Sequence, residues 1–137
     1  MRRSLALVAA LVALAACSRG RAESRTAATA SVQVAAIDIG RAVGLDKRVA
    51  EPARSFAPGD TIYASVATEG KTSLVSLTAR WRHAGATFHE ETQMIAPDGA
   101  AQSEFHVSKP GGWSAGSYEV EILVDGIPAG RRDFSVD

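Results

Sequence analysis

The side chains capable of chemistry are few: one thiol, Cys17, and three imidazoles, His83, His89 and His106. A thiolate is a nucleophile, and imidazoles beside carboxylates form the donor sets of zinc and copper sites. Glu90, Glu91 and Glu104 lie close in sequence to His89 and His106. Neighbouring strands could therefore bring those two histidines together, and a periplasmic ligand- or metal-binding protein using His89 and His106 is the alternative reading of this chain. The spacing argues against it. No histidine pair stands two apart on a strand or four apart on a helix, and no Cys-x-x-Cys pattern prepares a metal geometry. Three exposed or edge-strand histidines are expected, and no metal ligand is assigned.

A hydrolase needs a hydroxyl or thiol beside a histidine that an acid orients. No Gly-x-Ser-x-Gly elbow occurs, and Ser117 after Gly116 reads as a solvent-facing strand residue. No catalytic residue, cofactor or small-molecule substrate is inferred, so the chain reads as a non-enzymatic protein. Arg80 and Arg82 share a strand face with Thr78 and are positioned to pair with Glu119 and Glu121 across a neighbouring strand. Such a face could bind an acidic polymer, although a solvated outer surface is the preferred reading, and its arginines are too mixed with carboxylates to neutralise a row of phosphates. Nucleic acid is not an expected partner. Trp113 lies in a glycine-rich loop, where an exposed indole can anchor a sugar ring or a partner, although an indole covering the end of the core is the preferred reading.

These residues need elements to hold them, and the chain divides into three parts. Met1-Arg2-Arg3 is a positive start, and residues 4–16 form an apolar run shorter than the roughly 20 residues that span a bilayer. Residues 1–16 read as an export signal. Residues 17–31, rich in Arg, Ser, Thr and Ala without an apolar period, read as a flexible tether. Residues 32–137 are β-rich and mildly acidic, although the whole sequence has a formal net charge of zero. With a single cysteine no disulfide can form within the chain, and stability must come from packing.

Leu14-Ala15-Ala16-Cys17 resembles the lipobox of bacterial lipoproteins. The resemblance implies that Cys17 receives a diacylglyceryl group, that a signal peptidase cuts between Ala16 and Cys17, and that the freed amine is acylated, commonly with palmitate. Ser18, where an Asp commonly retains such proteins in the inner membrane, implies delivery to the outer membrane facing the periplasm. Each buried methylene is worth roughly 0.8 kcal/mol, so one chain binds marginally and two or three anchor stably.

In the β region, short alternating runs are separated by turn residues. Val32 and Val34 share one face but Ile37 and Ile39 the other, a slip that predicts a bulge. Residues 40–54 read as a loop with a short strand near Val49, and Phe56 tucks inward. Pro58-Gly59-Asp60 reads as a tight turn with positive φ at Gly59, and Glu69-Gly70-Lys71 as another. Ile62, Ala64 and Val66 face inward, as do Val75, Leu77, Ala79 and Trp81.

His83-Ala84-Gly85-Ala86 turns the chain. Residues 87–95 form an edge strand of ambiguous phase, because Phe88 and Met94 oppose Ile95. After Pro97-Asp98-Gly99, Phe105 and Val107 point inward, and Lys109-Pro110-Gly111-Gly112 breaks the strand. Tyr118, Val120, Ile122 and Val124 line one face. Asp125-Gly126 is a hairpin signal, because a type I′ turn needs positive φ at both central residues. Phe134 and Val136 close the core, while Pro128 and Gly130 predict that pairing of the last strand begins late.

About seven strands at this spacing predict an all-β fold, an antiparallel β-sandwich with Greek-key connections. Trp81 on the third strand, and a tyrosine corner in Trp113-Ser114-Ala115-Gly116-Ser117-Tyr118, resemble the immunoglobulin fold without its disulfide. The pieces Phe56-Ala57-Pro58-Gly59-Asp60-Thr61-Ile62-Tyr63, Leu123-Val124-Asp125-Gly126 and Phe134-Ser135-Val136, with the Gly112-to-Tyr118 segment, resemble a functionally uncharacterised immunoglobulin-like module of bacterial envelope lipoproteins. That resemblance implies a fold and no activity. The expectation is a membrane-anchored module that binds or scaffolds an envelope protein.

Overall fold

The computed structural model describes residues 31–137. The signal at residues 1–16, the acylated Cys17 and all of the tether except Ser31 lie outside the described residues.

Among the described residues eight strands form: β1 (Val32–Gly40), β2 (Ser55–Phe56), β3 (Ile62–Gly70), β4 (Val75–His83), β5 (Ala86–Ile95), β6 (Ala101–Val107), β7 (Gly116–Val124) and β8 (Ile127–Val136). They build two sheets, one ordered β1-β3-β6 and the other β2-β8-β7-β4-β5. The strand beyond the expected seven is β2, whose two residues are too few to show a period. It is also an exception to antiparallel pairing, since Ser55 and Phe56 run parallel to Ser135 and Val136 of β8.

The alternation of β3, β4 and β7 sets which side chains are buried. Ile62, Ala64, Val66, Leu77, Ala79, Trp81, Val120 and Ile122 are fully enclosed between the sheets. Phe134 knits the aromatic part of this core, meeting Phe56 and Trp81 edge-on at centroid distances of 5.6 and 6.1 Å. Trp81 Nε1 is buried without a hydrogen-bond partner, a loss of about 1–3 kcal/mol that the burial of its ring must outweigh.

The slip in β1 is a bulge between Val34 and Ala36, which lets Val32, Ile37 and Ile39 all reach the core. On the same side of the sandwich Arg132 Nε donates to the Ile37 carbonyl at 3.0 Å, tying β8 to β1. Ala84-Gly85 and Asp125-Gly126 both turn with positive φ at each central residue, as type I′ hairpins require.

Three local expectations change. Gly59 has no positive φ; the turn closes instead by Asp60 N–H donating to Ala57 O at 3.0 Å. Glu69 and Gly70 are not a turn, because β3 continues through them to pair with Gln33 and Val32 of β1. Nor does β8 start late. Ile127 and Pro128 already pair with Val124 and Leu123, and a register shift between Ile122 and Leu123 absorbs the irregularity near Pro128. Val49 makes only an isolated bridge to Val43.

A cleft between the edge strands β5 and β6

The edge strand β5 is where the ambiguous phase is resolved. From Ile95 back to His89 it pairs residue for residue with Val75 to Trp81 of β4, and then the register jumps so that Thr87 meets Arg82. Phe88 is the extra residue. A bulge turns neighbouring side chains toward one side where a regular strand would separate them, and here Phe88 and His89 line the same cleft. His89, Glu91 and Gln93 occupy core-facing positions of β5, opposite Trp81, Ala79 and Leu77. Gln93 Nε2 donates to the Glu104 carbonyl of β6 at 2.7 Å, His89 is exposed and Glu91 is half-buried.

The cleft, about 540 Å³, opens between β5 of one sheet and β6 of the other. Phe88, Val107, Trp113 and Tyr118 supply its apolar surface, and His83, His89, His106, Ser108 and Lys109 its polar surface. Trp113 is held at both ends of its residue. Its main-chain N–H donates to Pro58 O at 2.7 Å and its indole N–H to Asp60 O at 2.9 Å. The indole is 6% exposed and caps the end of the core as expected, yet it also forms a cleft wall. Tyr118 Oη donates to Ser114 O at 2.7 Å, which is the tyrosine corner. Phe88 stands edge-on to both, 5.5 Å from Trp113 and 6.0 Å from Tyr118.

The histidines are differently fixed. His83 stacks on Tyr118 with ring centroids 4.1 Å apart, and its Nδ1 donates to Ser117 O at 3.0 Å, leaving Nε2 as the free ring nitrogen. The absence of a side chain at Gly116 makes room for this ring, since a Cβ there would sit 3.1 Å from His83 Cε1. His106 Nδ1 pairs with Glu104 Oε1 at 2.7 Å, and its ring lies against Tyr63.

The structure thus brings His89 and His106 to one cleft, but on strands of different sheets that are not paired. Among the described residues no group of three or more His, Cys, Asp or Glu could hold a metal. The arrangement does not favour the alternative reading. Glu104 engages His106, and Glu90 is drawn away to Arg80 at 2.9 Å.

The charged face of the larger sheet differs in detail from the cross-strand pairs expected. Arg80 bridges Glu90 and Glu121, Arg82 approaches Glu121 at 3.8 Å, and Glu119 pairs with Arg131 instead. The hydrogen bond from Arg80 to Glu90, with the nearby charges of Glu90 and Glu121, raises the guanidinium pKa above its ordinary value against the effect of burial. The carboxylates Glu90, Glu119 and Glu121 of this face are all ion-paired, whereas Arg82 Nε is buried without a hydrogen-bond partner.

Phe88, Ser108, Lys109 and Tyr118 were not readable as lining residues from the sequence. The one available signal was Phe88 standing out of phase with Ile95, which marks the bulge.

The chain is similar to an immunoglobulin-like protein from Pseudomonas aeruginosa, with a TM-score of 0.53 and 11% sequence identity over 80% of this chain and 99% of that chain. The fold is immunoglobulin-like. Trp81 and the Tyr118 corner, which suggested it, occupy the core and the entry to β7 as that fold places them. A second similar structure is the alkylpurine DNA glycosylase of Pseudomonas fluorescens bound to DNA containing an abasic site analog, with a TM-score of 0.46 and 14% identity. That match covers 78% of this chain but 30% of the glycosylase, so the chain spans less than a third of that protein. No protein-family model matches the chain, and no curated protein sequence matches it.

Proposed function

We propose that this chain is a lipid-anchored, non-enzymatic module of the bacterial cell envelope, held by acylated Cys17 at the periplasmic face of the outer membrane, and that it docks a partner protein along β5. The observation that carries the docking is the character of β5. It is a ten-residue strand at the end of its sheet, so one side of its backbone has no ladder partner within the sheet. Phe88 and Met94 project from it 43% and 59% exposed. Edge strands are ordinarily blunted by shortness, covering, charge or a bulge; β5 carries Glu90, Glu91 and the bulge at Phe88 but keeps an unbroken paired stretch from His89 to Ile95, and strand addition to such an edge is a common mode of protein recognition. The anchor is supported by the Leu14-Ala15-Ala16-Cys17 sequence. Among the described residues no helix is long and apolar enough to cross a membrane.

A photo-crosslinking residue placed at Met94 in living cells tests the docking. A protein adduct should form there and be absent when the same residue replaces Asp38, which is exposed on β1 of the other sheet. No adduct at Met94, or equal adducts at both positions, would overturn the reading.

A further inference from the structure

We infer that the cleft beside β5 receives the aromatic side chain of an extended partner segment that carries carboxylates next to that ring. The inference rests on the docking of a protein along β5 and names the chemistry that β5 recognises.

Three features of the site converge on this ligand. The first is backbone geometry. Between His89 and Ile95 the ladder with β4 is uninterrupted, so the opposite edge presents evenly ordered amides and carbonyls to an added strand. The bulge at Phe88 ends that regular stretch where the cleft begins, and a strand laid along β5 would deliver a side chain into it.

The second is the surface inside. Phe88, Trp113 and Tyr118 meet edge to face, with all three pairwise centroid distances between 5.5 and 6.0 Å. Aromatic rings prefer such offset and edge-on neighbours. The cleft, about 540 Å³, lies within the roughly 300–1,000 Å³ range of sites that enclose a ligand. Phe88, the most exposed of the three rings, is positioned to close over an entering ring.

The third is charge. Among the described residues no carboxylate lines the cleft, and Lys109 is the one Lys or Arg that does; the three imidazoles beside it add polar ring nitrogens. Lys109 sits at the first position of a turn closed by Gly112 N–H to Lys109 O at 2.9 Å, and it has no ion pair among the described residues. Glu104 is engaged by His106 and Glu90 by Arg80, and Glu91, on the same strand face as His89, does not line the cleft. A partner segment with acidic residues beside its aromatic ring complements this rim, and a basic one is repelled.

The test uses the full chain, isotopically labelled and purified in detergent, titrated with short synthetic β-forming peptides and followed by NMR. The probe peptide has a central phenylalanine flanked by glutamates; companions replace the glutamates by lysines or the phenylalanine by serine, and phenylacetate serves as a free aromatic acid. The acidic aromatic peptide should shift the Trp113 indole N–H together with the amides of β5. Its affinity should exceed that of either companion by at least about tenfold and fall by a similar factor in Phe88→Ala and in Lys109→Glu. Both substituted residues are exposed, so neither change should disturb folding.

Equal binding of acidic and basic peptides overturns the inference. So does phenylacetate filling the cleft while the acidic peptide leaves the β5 amides unmoved, which would make the cleft a small-molecule site. Failure of every peptide also overturns it; a Met94-specific adduct in cells would then still leave docking along β5 standing with a different recognition chemistry.

Discussion

Removing the hydroxyl of Tyr118 isolates the tyrosine corner from the packing around it. In Tyr118→Phe the ring keeps its stack on Phe134, at 5.4 Å and 14°, and its stack with His83 at 4.1 Å. Only the 2.7 Å bond to Ser114 O is lost. Ser114 is exposed, so water replaces the donor at its carbonyl and no acceptor is left stranded. The loss should then be that of one hydrogen bond exchanged for solvent, about 1 kcal/mol, or a fall in Tm of about 4 °C for a domain of this size.

Urea unfolding read by tryptophan fluorescence is well suited to the measurement, because Trp81 reports on the core and Trp113 on the loop that the corner fixes. Tyr118→Ala removes the ring as well and should cost about 3–5 kcal/mol by analogy with other large aromatic truncations in cores. A Phe variant as stable as the parent would show that the bond to Ser114 contributes nothing. A Phe variant as damaged as the Ala variant would refute the separation of hydroxyl from ring.

Gly112 has φ +89°, and a Cβ there would approach Pro58 O at 3.2 Å; Gly112→Ala should therefore destabilise by at least about 1–2 kcal/mol in urea unfolding, since the left-handed conformation alone carries a cost of that order. Asp60 accepts from Ala57 N–H, and this bond, opposed by burial and aided by Arg41, holds its carboxyl below the ordinary value of 3.8. A carboxylate whose folded pKa is lowered stabilises the fold fully above its unfolded value and loses that contribution as pH falls through the folded one. The advantage of the parent over Asp60→Asn in urea midpoint should accordingly be widest near neutrality and shrink below about pH 3.8. Cys17→Ser should leave an unprocessed precursor and abolish membrane fractionation of the mature form, read by gel mobility and sedimentation of membranes; unchanged processing would remove the lipid anchor from the proposed function.

The amino-acid order determined the local features because each depends on residues adjacent in the chain. Alternation alone placed Leu77, Ala79 and Trp81 inside, a phase slip announced the β1 bulge, and Asp125-Gly126 specified its turn through positive φ. Tyr118 and Ser114 are four residues apart, so the corner was legible too. Pairing between distant segments was not. Two residues of β2 show no period, and their parallel match to β8 depends on where the chain ends up after the whole core has assembled.

The cleft was decided at that level as well. His89 and His106 lie on strands of separate sheets, and Trp113 and Lys109 arrive on a loop anchored to Pro58 and Asp60. Whether those side chains share a wall depends on how the two sheets stack, which brings the edge strand β5 beside β6, with Gln93 bonded to the Glu104 carbonyl, and leaves the cleft between them.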